Sequence, residues 1–162
     1  MIIVVDRDHE EYAFNASTTL TSANLKSGDY WIADSGASTH LTLDDRGMVN
    51  TRPTRVQVVM GNGSSARSAK TGDIKGLLMV DDNKKAVSAT LEDVAYAKDA
   101  QYNLFSLTYM MKKGWSMSAN SEEIVIKKGK VKLKFNTKIK TSKGFLFVIK
   151  FVRRGCVWWC SK

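Results

Sequence analysis

Trp31-Ile32-Ala33-Asp34-Ser35-Gly36-Ala37-Ser38-Thr39-His40 decides how this chain of 162 residues is read. An apolar approach ends in an acid followed by two small residues. That order puts a carboxylate at the end of a buried strand, with the backbone able to approach a neighbour closely at Gly36. The same letters also describe an ordinary strand end followed by a turn, so the surroundings have to discriminate.

Downstream the period is two. Val56, Val58 and Met60 alternate with Gln57 and Val59, Gly61-Asn62-Gly63-Ser64 interrupts, and a second extended run leads to Ile74, which predicts a β-hairpin over residues 56–74. Residues 76–80 read as the next strand, turned by Asp81-Asp82-Asn83, and residues 87–96 continue the β pattern. Ile124, Val125 and Ile126 precede Lys127-Lys128-Gly129-Lys130, after which Val131, Leu133 and Phe135 alternate with lysines as a half-buried strand requires. Residues 145–151 close the series. One stretch departs from this period: Leu104, Leu107, Met110 and Met111 recur at three and four, followed by Lys112, Lys113 and Gly114, the pattern of a short helix with a C-terminal glycine. The expected fold is therefore all-β, mainly strands with one short helix. Many short strands bounded by turn residues point to a closed or nearly closed β-barrel.

Hydrophobic residues make up 43% and charged residues 25%, the balance of a soluble globular chain rather than a disordered one. The length fits one domain. We place it at residues 29–152, after a mobile lead-in over 1–28 that shows no clear period, and leave 153–162 as an unassigned tail. The longest apolar runs, residues 1–5 and 145–149, are five residues each, against the roughly 20 that span a bilayer, so no membrane partner is expected. Asp6, Asp8, Glu10 and Glu11 follow the first run at once, which does not fit a secretory signal.

Cys156 and Cys160 are the two cysteines, both near the end of the sequence. A disulfide framework is excluded, and a reducing intracellular compartment fits. C-x3-C without a nearby His or a third Cys is a poor zinc site, because zinc normally takes four ligands. No metal and no cofactor are expected. Trp158 and Trp159 lie beside the two thiols and have no assigned role.

The formal net charge of +9 is unevenly spread. Residues 112–154 carry 13 Lys or Arg against Glu122 and Glu123, while residues 1–111 have a net charge of −3. A basic face of this kind could track a phosphate backbone through residues 127–143. The competing reading makes Lys127, Lys130, Lys132, Lys134 and Lys138 the solvated sides of strands. Sparse aromatic interleaving in that stretch favours the second.

Three further candidates carry little chemistry. His40 lies six residues from Asp34, but no Ser or Cys nucleophile accompanies it in a recognisable setting, so a packing or structural hydrogen-bonding role is expected. His9 sits in an acidic segment and reads as exposed. Gly61-x-Gly63 lacks the following Lys-Ser/Thr of a phosphate-binding loop.

Residues 31–42 resemble the aspartic protease of copia-type LTR retrotransposon Pol polyproteins, in which an aromatic, two apolar residues, Asp-Ser-Gly-Ala and a nearby His recur. The likeness continues in order. The 56–74 hairpin resembles the flap with its glycine-rich tip, and Leu91-Glu92-Asp93-Val94-Ala95-Tyr96 with Tyr102-Asn103-Leu104-Phe105-Ser106-Leu107 resembles the later strand and helix entry. Residues 122–152 are similar to the β segment leading toward the pre-integrase region. Phe105 stands where the family usually has a smaller aliphatic residue, and 155–162 match nothing recognised.

The resemblance implies a retropepsin-like acid-protease barrel and an aspartic endopeptidase active only as a homodimer. Such enzymes bring two carboxylates together so that they share one proton, one acting as base toward water and the other as acid toward the peptide carbonyl. One motif per chain requires a second copy of Asp34 across a two-fold axis. Ser35 would hold the two loops in register and Gly36 would permit their approach. Met60, Gly61, Asn62 and Gly63 would form a flap over an extended peptide, with the Gag-Pol polyprotein as substrate. The implied location is the cytoplasmic virus-like particle. A non-catalytic β-barrel folding or interaction module of the same polyprotein would show the same residues.

Overall fold

Period two becomes strand through most of the described chain. The computed structural model describes residues 2–4, 11–14, 25, 28–59, 65–79, 86–141 and 144–154. The first strands are β1 (Ile2–Val4), β2 (Glu11–Phe14), β3 (Tyr30–Asp34), β4 (Leu41–Thr42) and β5 (Met48–Pro53). They are followed by β6 (Gln57–Val59), β7 (Ser65–Arg67), β8 (Lys70–Met79) and β9 (Ala86–Tyr96). Next, β10 (Asn103–Ser106) runs directly into the one described helix, α1 (Leu107–Lys112). The order ends with β11 (Ser116–Ala119), β12 (Ile124–Lys128), β13 (Val131–Phe135), β14 (Thr137–Thr141) and β15 (Gly144–Arg153).

In the largest sheet the pairings run in a ring through β9, β4, β10, β3, β15 and β8, with β1, β5 and β14 attached at its margins. Pro53 is the last residue of β5, which among the described strands pairs only with β8, and a strand end at a sheet margin is where proline is tolerated. A second sheet has the order β11-β12-β13-β2, and β6 pairs with β7 as a separate antiparallel ribbon. The ribbon forms only the inner part of the hairpin expected over 56–74: its arms are Gln57–Val59 and Ser65–Arg67, and residues 70–74 belong to β8 in the large sheet. The hairpin tip, Met60, Gly61, Asn62, Gly63 and Ser64, lies outside the described residues, as do the Asp81-Asp82-Asn83 turn, His9 and the segment 155–162.

Both faces of β3 are covered. Trp31 packs with Phe105, Phe135 and Phe151, whereas its neighbour Ile32 packs with Leu41, Leu104 and Val148 in a second cluster. A strand buried on both sides reads as a continuous apolar run rather than an alternation, as Trp31-Ile32-Ala33 does. Each fully buried Leu, Ile or Phe side chain contributes about 1.5–3 kcal/mol, so this double burial fixes the strand that ends at Asp34.

Three expectations are corrected. The helix begins at Leu107, not near Leu104, because Leu104 and Phe105 pair with Ile32 and Ala33 as parallel strand. Its end is as the glycine predicts: Gly114 has φ +93°, its N–H donates to the Met111 carbonyl, and the Trp115 N–H reaches back to Met110. Gly76 does not open a new strand but lies inside β8. A Cβ there would stand 2.5 Å from both the Phe151 ring and the Val152 carbonyl, so the missing side chain is what lets β15 pack against β8. Within 1–28, read as a lead-in without period, Ile2–Val4 pairs with β9 and Glu11–Phe14 with β13. Their three and four residues are too few to show a period alone; partner strands supply the hydrogen bonds.

Candidate active site

Asp34 is the last residue of β3 and half-buried, while Ser35 and Gly36 behind it are exposed. The loop folds back on itself: the Gly36 N–H donates to Asp34 Oδ1 at 2.6 Å. The position of the carboxylate follows from strand order. Parallel pairing places Ser106 of β10 beside Asp34, and β10 itself lies between β3 and β4, the two strands that the Asp34 loop connects.

The start of α1 then clamps the loop. Ser106 caps the helix by accepting from the Tyr109 N–H at 2.9 Å, and the same hydroxyl donates to the Ala37 carbonyl at 2.6 Å. Thr108 Oγ1 donates to the Ser35 carbonyl at 2.5 Å. Two carbonyls of the loop are thus tied to one helical turn. Ala37 is fully buried in the cluster that also holds Val58 of β6 and Ala66 of β7, so the hairpin base and the Asp34 loop share one piece of core.

His40 completes the clamp from the other side. It is fully buried, its Nδ1 accepts the Ser106 N–H at 2.9 Å, and its ring lies 4.8 Å from Phe105 and 4.9 Å from Tyr109 between centroids. Accepting at Nδ1 requires the neutral form, and burial lowers its pKa from 6.5 to about 3. Its Nε2 has no hydrogen-bond partner among the described residues. Among the described residues its partners are the Ser106 backbone and two aromatic rings, the packing and hydrogen-bonding role expected of it.

A second network, not foreseen from sequence, borders the first. Tyr109 donates its hydroxyl to Asp93 Oδ2 at 2.7 Å, and Arg52 of β5 forms an ion pair with the other oxygen of Asp93. The Tyr109 hydrogen bond first, then Arg52, holds the Asp93 carboxyl below the usual carboxylate range; burial and that carboxylate raise the Tyr109 pKa. Asp93 sits at a bulge where two residues of β9 face one of β8, with φ +55°. Asn50 has φ +51° at a matching irregularity in β5. Asp73 of β8 holds both, accepting from the Asp93 N–H at 3.1 Å through Oδ1 and from Asn50 Nδ2 at 2.9 Å through Oδ2. The visible signal was an acid inside each strand pattern, Gly72-Asp73-Ile74 and Glu92-Asp93-Val94. Thr108 left no signal.

The described residues hold no group of three or more His, Cys, Asp or Glu able to bind a metal ion. No described helix is long and apolar enough to cross a membrane.

Together these elements define a mostly β module whose central strand delivers a carboxylate to an exposed, clamped loop. The family described as Pol polyprotein, beta-barrel domain, matches residues 31–115, more than half of the chain, beginning at Trp31 and ending at Trp115. The chain belongs to that family, and it is a Pol polyprotein module. No curated protein and no solved structure matched it.

Proposed function

We propose that the chain is the aspartic endopeptidase of a copia-type retrotransposon Pol polyprotein, with a retropepsin-like fold, working as a homodimer in the cytoplasmic virus-like particle. The observation that carries this reading is the Asp34 loop: a carboxylate at the end of a doubly buried strand, followed by exposed Ser35 and Gly36 and braced by Ser106 and Thr108. In a symmetric pair, Asp34 of each copy shares one proton with its mate, because two like charges a few ångströms apart do not both ionise. The ionised member draws a proton from water, which attacks the peptide carbonyl, and the protonated member donates to the carbonyl oxygen. Ser35 keeps the loops in register, Gly36 lets the backbones meet, and Met60, Gly61, Asn62 and Gly63 close over the Gag-Pol peptide.

A non-catalytic folding or interaction module is the second reading. It is favoured by the single Asp-Ser-Gly in the sequence, which leaves one copy without a dyad. One experiment separates the two. The full chain and its Asp34→Asn variant are incubated with a polyprotein fragment at mildly acidic pH, and their oligomeric state is measured by sedimentation equilibrium. Cleavage by a dimeric wild type and none by the folded variant supports the endopeptidase; equal cleavage by both, or a monomer that cuts nothing, removes it.

A further inference from the structure

We infer that the lysine-rich face formed by β13, β14 and β15 is a binding surface for single-stranded nucleic acid. In sequence the lysines of 127–143 have few aromatic neighbours, which argues for plain solvation. The register of β14 against β15 removes that objection. Phe147 stands opposite Lys138 and Phe145 opposite Lys140, so two rings and two ammonium groups share one side of the hairpin. Phe145 is 46% exposed, and the rings meet edge to face at 5.3 Å. Lys138 Nζ lies 4.6 Å from the Phe145 centroid and 5.7 Å from that of Phe147.

The β13 lysines adjoin this side. Lys134 reaches Glu123 at 3.9 Å and Lys138 reaches Glu122 at 3.1 Å, and because these acids are consecutive the two lysine rows meet at one turn. Lys132, facing Lys127 across the ladder, lies on the same face of β13 as Lys134. Glu122 and Glu123 are the only acids in 112–154.

Guarding the margin strand β14 against further pairing would explain lysines alone. It does not explain a large ring left exposed among them. A polyanion with accessible flat bases matches both features: phosphates meet the lysines and a base stacks on Phe145. A duplex hides its base faces, which singles out the unpaired strand.

The test is fluorescence anisotropy of the full chain with a fluorescein-labelled single-stranded RNA of about 20 nucleotides, repeated over a salt series. Saturable binding is expected, with a slope of log affinity on log salt of about −3 for about four neutralised phosphates. Phe145→Ala, an exposed change checked for folding by circular dichroism, should weaken binding about five-fold or more with the slope unchanged, and Phe145→Trp should restore it. Lys132→Glu with Lys140→Glu should weaken binding and flatten the slope. Absent binding, an unaffected Phe145→Ala variant, or equal affinity for duplex RNA of the same length would overturn the inference.

Discussion

The backbone N–H of Ser106 donates to His40 Nδ1 across 2.9 Å, and both residues are fully buried. A side chain from the Asp34 loop therefore satisfies the backbone at the junction of β10 and α1. The junction cannot shift without leaving a buried N–H and a buried ring nitrogen unpaired.

This pair predicts a pH dependence of stability. With His40 at about 3 in the folded chain and 6.5 as its ordinary value, the unfolded chain takes up a proton that the folded chain refuses. The contribution is complete above pH 6.5 and is lost progressively as the pH falls toward 3. Urea denaturation of the wild type between pH 6.5 and 4.5 should show stability falling by up to about 1.4 kcal/mol per pH unit from this group. His40→Phe should flatten that dependence while costing about 1–3 kcal/mol at neutral pH, because the Ser106 N–H loses its acceptor. An unchanged pH slope in the variant would contradict the assignment.

Ser106→Ala removes a helix cap and the tie to the Ala37 carbonyl in one step. We expect a loss of about 2 kcal/mol, the upper end for a cap, since a buried carbonyl is also left unpaired. Thermal unfolding measures it, and a change below about 0.5 kcal/mol would show that the two bonds carry no weight.

Asp73 secures two bulges with its two oxygens. Asp73→Ala should destabilise by about 1–2 kcal/mol and Asp73→Asn by less, since the amide keeps one acceptor for the Asp93 N–H. Amide hydrogen exchange at Asn50 and Asp93 should quicken in the alanine variant. Equal stability of the two variants would show that the carboxylate bridge is incidental.

Gly76 and Gly129 make a contrast within one residue type. At Gly76 a Cβ meets the Val152 carbonyl at 2.5 Å, and Gly76→Ala should cost about 1–3 kcal/mol or prevent folding, because β8 and β15 must separate. At Gly129, with φ +59° and open space around it, Gly129→Ala should cost only about 1 kcal/mol of backbone strain. Urea midpoints of the two variants give the comparison, and the reverse order would refute it.

The β character, the hairpin arms, the helix stop at Gly114 and the alternation in Val131, Leu133 and Phe135 were all legible, because each is written in local period or glycine chemistry. Leu104 misled because an apolar residue one strand before a helix keeps helical spacing by coincidence. Gly76 misled because glycine marks a turn and a close approach with the same letter. Asp34 was visible through its apolar approach, but the residues that brace it were not. Ser106 and Thr108 are brought to the loop by long-range strand order, and no spacing in the sequence encodes that order; His40 lies in the loop itself, and only its partner Ser106 was hidden.

Strand β15 has a consequence for what counts as the unit of this protein. It lies beyond Trp115, where the family match stops, yet it fills the gap between β3 and β8, and Arg153 donates from its guanidinium to Thr42 Oγ1 at 2.5 Å and to the Arg46 carbonyl at 3.1 Å. A fragment cut to the matched residues would bare one whole ladder on each of two central strands and invite self-association. The stretch that is inherited as a family and the stretch that folds as a body are thus different lengths of the same chain.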